Sequence, residues 1–208
     1  MTDQIRSTIQ KTRAYWFSDG IAELLIGTLF VIAALFMLIQ LLAPPAIRGF
    51  ASLGFPLVIL FGSFMSRKLI MRFKERITYP RTGYIEYQKP SGFRIPFALI
   101  MGLVFGALIA WLITSADGSA IIDWMPIIQG FVVALIWVMI AYQGGGITRL
   151  YGVALVSIML GFIQKLIWKS EMLGSVFFFS FLGLILIISG GLTLRSFLET
   201  NQIAEHTE

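Results

Sequence analysis

Six apolar runs dominate the sequence, each about as long as a helix that crosses a bilayer. Such a helix needs about 20 mostly apolar residues. The candidate spans are 21–42, 47–65, 96–114, 126–142, 147–164 and 173–194. The chain is 57% hydrophobic and only 13% charged, whereas a soluble domain has about 25% charged residues. We therefore predict an all-α membrane protein, a bundle of six transmembrane helices in one integral membrane domain over residues 1–208.

Basic residues between the second and third runs predict the orientation. Eight of the sixteen Lys and Arg lie in this connector, residues 66–95. With six spans, thirteen Lys and Arg fall on the side of both termini and three on the other. Because basic loops stay in the cytoplasm, we expect cytoplasmic N- and C-termini.

Several function classes lack their central residues. The chain has no Cys, and its single histidine, His206, lies in a polar tail. Thiol nucleophiles, thiolate metal sites, His-based acid–base catalysis and Ser-His-Asp triads are therefore excluded. The pI of about 9.7 reflects loops beside a membrane, and no nucleic-acid motif is present. We predict a non-enzymatic protein without a metal, a cofactor or a nucleic-acid partner.

The first half of the connector has helical periodicity. Over 67–77 the apolar residues recur at helical spacing, on one face, while the basic residues point away from that face. This pattern predicts an amphipathic helix lying on the membrane surface. The basic residues in question are Arg72, Lys74 and Arg76. We expect them to contact anionic lipid headgroups; the alternative is a cluster that only orients the spans.

The second half of the connector, 78–89, has a turn signature. Pro80 and Gly83 stand where a type I turn favours them, and β-rich neighbours predict a short cytoplasmic hairpin. Its specific surface would consist of Tyr79, Arg81, Tyr84, Glu86 and Tyr87. These residues are candidates for binding a protein partner, a headgroup or an anionic ligand; the alternative is a hairpin that caps the helices.

Residues 76–87 read RITYPRTGYIEY. This stretch of about a dozen residues, with the general layout of the chain, resembles uncharacterised small multi-pass membrane proteins of prokaryotes. The resemblance implies a helical protein of a prokaryotic plasma membrane, and it implies no activity.

Small residues recur at every fourth position of the third run. They are Ala98, Gly102, Gly106 and Ala110. This spacing forms a groove in which a second helix backbone can approach closely. We expect a helix contact within the chain, with a homodimer contact as the alternative. Gly54 with Gly62, and Ser157 with Gly161, are weaker examples.

Local signals predict the ends of several helices. Ser18, Asp19 and Gly20 are suited to the N-cap of the first helix, and Pro126 to the first turn of the fourth. Two tight turns are also expected, at Pro44 with Pro45 and at 144–146.

Glu23 is the one acidic residue inside a predicted span. The simpler interpretation is that it caps or is solvated at the start of the first helix. The alternative is a cation or proton site formed with Gln129 and Gln143.

The ranges 27–40 and 130–143 share a spacing from Gly to Gln, as expected of two inverted three-helix repeats in a transporter. The leading hypothesis is binding of a partner or the lipid surface through the connector, with a small transporter or channel as the alternative.

Overall fold

The computed structural model describes residues 17–82, 114, 118–143, 146–168 and 170–201. Within these ranges the chain forms helices and no strand. We number the helices α1 (Ile21–Leu42), α2 (Pro45–Ser52), α3 (Gly54–Ile77), α4 (Tyr79–Thr82), α5 (Gly118–Gln143), α6 (Thr148–Ile167) and α7 (Glu171–Thr200).

Four of the described helices are long and apolar enough to cross a membrane. They are α1, the Asp123–Tyr142 part of α5, α6 and α7. They correspond to the predicted first, fourth, fifth and sixth spans, so the helical membrane class is supported. The third span lies outside the described residues except for Thr114, as does its small-residue groove of Ala98, Gly102, Gly106 and Ala110. The count of six spans therefore stays a prediction.

The predicted second span, 47–65, is not one continuous helix. The helix assignment stops at Ser52 and resumes at Gly54. Pro56 follows this break, and because proline has no backbone N–H, the Ser52 carbonyl lacks its usual partner four residues on. The helix then continues far beyond residue 65, to Ile77.

Three predicted local features are confirmed. The Asp19 Oδ1 atom accepts a hydrogen bond from the Ile21 amide at 3.2 Å, which caps α1. Pro45 begins α2 directly after the turn at Pro44. Gly146 has a left-handed φ of 82°, and its amide donates to the Ala141 carbonyl at 2.9 Å, closing α5 before α6 begins. The prediction for Pro126 is wrong, since α5 already begins at Gly118.

The connector departs from its predicted form. Residues 67–77 are the last three turns of α3 and not a separate surface helix. The predicted hairpin is not found in its described part, because Tyr79–Thr82 are helical. Thr78 keeps a helical backbone conformation, with its amide bonded to the Lys74 carbonyl at 2.9 Å. Pro80 then stands in the first turn of α4, where a missing N–H costs little.

Glycine pairs bring α1 and α7 into backbone contact. A Cβ atom on Gly27 would lie 2.7 Å from the Gly183 carbonyl oxygen, and one on Gly20 would lie 2.3 Å from that of Gly190. The two pairs are separated by seven residues on each helix, so the antiparallel contact extends over about 10 Å. In lipid, such close van der Waals packing replaces the hydrophobic effect that holds soluble helices together.

The helices α5 and α6 form a second close pair. A Cβ atom on Gly161 would lie 2.7 Å from the Pro126 carbonyl oxygen and 3.1 Å from Gly130 Cα. A buried cluster joins this pair to α7; it includes Trp137, Leu150, Phe178, Leu182 and Leu186.

The outside of the bundle is apolar. Phe64 is 76% exposed and Leu166 is 83% exposed, and further Leu, Ile, Phe and Met side chains share this exposure. A soluble protein rarely exposes such a surface. Backbone contacts through glycine inside and large apolar side chains outside are the arrangement expected in a bilayer.

The contact at Gly27 gives a testable prediction. We expect Gly27→Ala to lower the free energy of unfolding by about 1–3 kcal/mol, because the new methyl group meets a backbone atom that cannot move aside. The measurement is an unfolding titration with sodium dodecyl sulfate in mixed micelles.

Gly152→Ala is the matched control, since a Cβ atom there meets nothing within 4 Å. Both changes make the same gain in helix propensity. Equal stability of the two variants would contradict the proposed contact.

Candidate functional site

Charged and hydroxyl side chains from four segments meet at one end of the bundle. We call this group the inner cluster; it consists of Asp19, Glu23, Lys74, Thr78, Arg149 and Ser189. Asp19, Glu23, Lys74 and Thr78 are fully buried. Buried ionised groups are costly unless they are paired and hydrogen-bonded, so the partner of each side chain decides what the cluster can do.

One half of the inner cluster joins the start of α1 to the end of α3. The Lys74 Nζ atom lies 2.6 Å from Asp19 Oδ2, and the Thr78 hydroxyl donates to the same oxygen at 2.8 Å. The other carboxylate oxygen caps α1, as described above. Both Asp19 oxygens are therefore hydrogen-bonded, which a buried carboxylate requires.

The other half joins α1, α6 and α7. The Arg149 Nε atom donates to Glu23 Oε1 at 2.7 Å, and the Ser189 hydroxyl donates to Glu23 Oε2 at 3.0 Å. Arg149 Nη2 also donates to the carbonyl of Phe17. The prediction that Glu23 caps α1 or is solvated at its start is therefore wrong, because the side chain is fully buried and pairs with a cation from another helix.

Helix ends and close packing explain this arrangement. The two acidic residues flank the N-terminus of α1 and Lys74 lies in the last turn of α3, so each charge suits its helix dipole. Arg149 lies in the first turn of α6, where a cation is disfavoured, and Glu23 compensates it. The backbone contact of Gly20 with Gly190 holds α7 near enough for Ser189 to reach Glu23.

Burial of Lys74 and its pairing with Asp19 shift the pKa of the Lys74 ammonium group in opposite directions. Lys74 lies beyond the predicted span 47–65. Burial lowers the pKa of its ammonium group from the ordinary value of 10.5, while the Asp19 carboxylate acts to raise it. Since the net direction is downward, the pair does not fully compensate the loss of solvation. We therefore expect the pair to fix how α1 and α3 pack more than to add net stability.

The helix α3 presents its basic residues on two opposite faces. Ile70, Lys74 and Thr78 are four residues apart and buried. We call Lys68, Arg72 and Arg76, which are also four apart and exposed, the outer stripe. A shift of two residues rotates a helix by about 200°, so the two rows face apart. Lys74 is thus wrongly grouped with Arg72 and Arg76, because its ammonium group points into the bundle.

The outer stripe differs from the inner cluster in how its charges are paired. None of its three side chains forms an ion pair with a described residue, although Glu75 lies on the same helix. In the inner cluster, by contrast, two carboxylates face two cations. Among the described side chains of α3, the cations that form no ion pair are therefore the exposed ones.

The other residues predicted for partner binding fall into two groups. The Tyr79 hydroxyl contacts Met71 Sδ at 3.9 Å, and Arg81 Nη1 donates to the Ile77 carbonyl at 2.6 Å, so both side chains pack on the end of α3. Tyr84, Glu86 and Tyr87 lie outside the described residues, and their role stays a prediction.

The residues proposed for transport do not form one site. Gln129 and Gln143 are both on α5, fourteen residues apart, which separates them by about 21 Å along the helix. Gln129 is next to Gly130, which contacts Gly161 in the C-terminal half of α6. Glu23 instead contacts Arg149, in the first turn of α6. The Gln129 Nε2 atom is buried without a hydrogen-bond partner among the described residues. The side chain of Gln143 is not among those described.

The inner cluster was missed as a set by sequence reasoning. The sequence contained a signal for the burial of Lys74, because Ile70, Lys74 and Thr78 are four residues apart and so lie on one helix face. No local pattern links Arg149 to Glu23, because 126 residues separate them in the chain.

Comparison with known proteins gives no relative: no family model, curated protein or solved structure matches the chain. Among the described residues, no three His, Cys, Asp or Glu side chains converge as a metal site would require. The functional argument therefore depends on the geometry above.

Removing one partner of the buried pair should destabilise the bundle. We expect Lys74→Met to lower the free energy of unfolding by about 3–5 kcal/mol, because Asp19 remains buried without a cation. Adding Asp19→Asn should recover part of this loss. The measurement is the same detergent titration.

Lys68→Met is the control, because it removes the same charge from the exposed face and should change stability by less than about 0.5 kcal/mol. If Lys74→Met were no less stable than Lys68→Met, the buried pair would not be a structural contact.

Proposed function

We propose that this chain is a non-enzymatic integral membrane protein whose cytoplasmic connector binds the anionic lipid surface through the outer stripe. The observation that carries the proposal is that Lys68, Arg72 and Arg76 share one exposed face of α3 and form no ion pair with a described residue. Each basic residue near an anionic leaflet contributes about 1 kcal/mol of attraction.

The polarity of α3 changes along its length at a position that suits this role. Phe61, Phe64 and Met65 are exposed apolar side chains, and Lys68 is the first exposed cation among the described side chains that follow them. A helix that leaves the hydrocarbon core near residue 66 would place its next three turns among headgroups. The helix supplies both the anchor and the charged surface.

The bundle geometry supports the proposed orientation. The described chain begins and ends on one side, since Ser18 and Asn201 line the same cleft. The end of α3, with the outer stripe, is on that side too, because Lys74 pairs with Asp19 there. With the basic connector in the cytoplasm, both ends of the described chain face the cytoplasm.

Lipid binding is favoured over the alternatives by charge. Arg149 already neutralises Glu23, so the main candidate for binding a transported cation is occupied by a residue of the protein itself. Gly27 packs against α7 and Gly130 against α6, so the two segments suggested as repeats do not make equivalent contacts. A protein partner would bind the part of the connector that carries Tyr84, Glu86 and Tyr87. Such binding would be a second role of the same loop.

The outer stripe can be tested by lipid selectivity. We expect the Lys68→Gln/Arg72→Gln/Arg76→Gln variant to lose about fivefold or more of the preference for phosphatidylglycerol over phosphatidylcholine, since three attractive charges are removed. Association with spin-labelled lipids in mixed vesicles measures this preference. About 1 M NaCl should reduce the wild-type preference in the same direction.

The matched control is Arg48→Gln/Lys165→Gln/Arg195→Gln, which removes the same total charge from two exposed sites and the half-buried Lys165. Lys165 and Arg195 are paired with Asp123 and Glu199, and Arg48 bonds the Ala43 carbonyl. Equal lipid selectivity of the two triple variants would overturn the proposal.

A further inference from the structure

An open cleft of about 480 Å³ lies beside the inner cluster. Ser18, before α1, and Arg149, at the start of α6, form one wall. The last turns of α7, from Leu192 to Asn201, form the other. Because α7 continues ten residues past its Gly190 contact with α1, this part of the helix extends about 15 Å beyond that contact.

The α7 wall of the cleft is a single helix face. Its lining residues are Leu192, Thr193, Ser196, Phe197, Thr200 and Asn201, which recur at intervals of three and four. Thr193 and Thr200 each donate their hydroxyl to the carbonyl four residues earlier at 2.8 and 2.9 Å, so their oxygens remain acceptors. The Ser196 hydroxyl has no partner among the described residues and is a donor.

Arg149 is held so that one part of its guanidinium group faces the cleft. Nε is bonded to Glu23 and Nη2 to the Phe17 carbonyl, while Nη1 has no hydrogen-bond partner among the described residues. The side chain is 30% exposed, whereas Glu23 is fully buried behind it. The carboxylate orients the guanidinium group, and a ligand in the cleft meets the cation and not the anion.

The chemistry of the cleft favours a phosphate attached to an apolar group. None of its described lining residues is acidic, and Arg149, Ser196 and the Asn201 amide supply donors. Leu192, 65% exposed, and Phe197 supply an apolar edge. We propose that this cleft binds the phosphate group of a phospholipid, with Arg149 Nη1 on the phosphate and Leu192 against an acyl chain. This site differs from the outer stripe, which is on α3.

Native mass spectrometry of the full chain in uncharged detergent tests the site, with dilauroyl phosphatidylglycerol as the probe. A galactosyl diacylglycerol of equal chain length lacks the phosphate and is the comparison lipid. We expect one phosphatidylglycerol to bind about tenfold more tightly than the galactolipid, the effect of one charge-assisted hydrogen bond. Equal affinity for the two lipids would overturn the proposal.

Two variants separate the cleft from the rest of the protein. Ser196→Trp fills the cleft from its α7 wall, keeps both residues of the Arg149–Glu23 pair and should remove the tenfold preference. Ile188→Trp places the same side chain at another exposed position of α7 and should leave the preference intact. The neutral double variant Glu23→Gln/Arg149→Gln avoids a buried unpaired carboxylate and should also remove it. A preference that survives Ser196→Trp and the double variant would overturn the proposal.

Two further arms identify the source and the relation to the proposed function. Inorganic phosphate should not displace the bound phospholipid; displacement would overturn the lipid assignment and indicate a soluble phosphate compound. The triple Gln variant of the outer stripe should keep the single bound lipid while losing its preference among bulk lipids. Loss of the single bound lipid in that variant would overturn the separate cleft site.

Discussion

Close backbone contact between α1 and α7 organises the other helices of the described bundle. In hydrocarbon no hydrophobic force drives helices together, so packing has to come from close approach of the chains themselves. Gly27 with Gly183 and Gly20 with Gly190 permit that approach. Because the second pair lies next to Ser189, the same contact completes the coordination of Glu23.

Two groups of charges follow from this packing, and they have different roles. The inner cluster is balanced, and each of its carboxylate oxygens has a partner, so it connects α1, α3, α6 and α7 without attracting counterions. The outer stripe is unbalanced and exposed. Their separation depends on helix rotation, since Lys74 and Arg72 are two residues apart but face opposite sides of α3.

Several elements could be predicted because their causes are local. Apolar runs predict the four candidate spans, Pro44 with Pro45 predicts a turn, and the Asp19 side chain caps the helix that follows it. The predictions failed where a neighbouring segment intervened. Thr78 was expected to begin a hairpin. It lies instead at the end of a continued helix, where its hydroxyl donates to Asp19, 59 residues earlier in the chain.

Hydrophobicity and charge act over a few neighbouring residues, so the amino-acid sequence alone predicts the helical membrane class, the helix-forming segments and the concentration of positive charge in one connector. The partner of each charge depends instead on how the helices pack. Lys74 and Asp19 are 55 residues apart and Arg149 and Glu23 are 126 apart. Such pairs form only when helix packing brings their ends together, and that packing depends on which helix faces carry glycine.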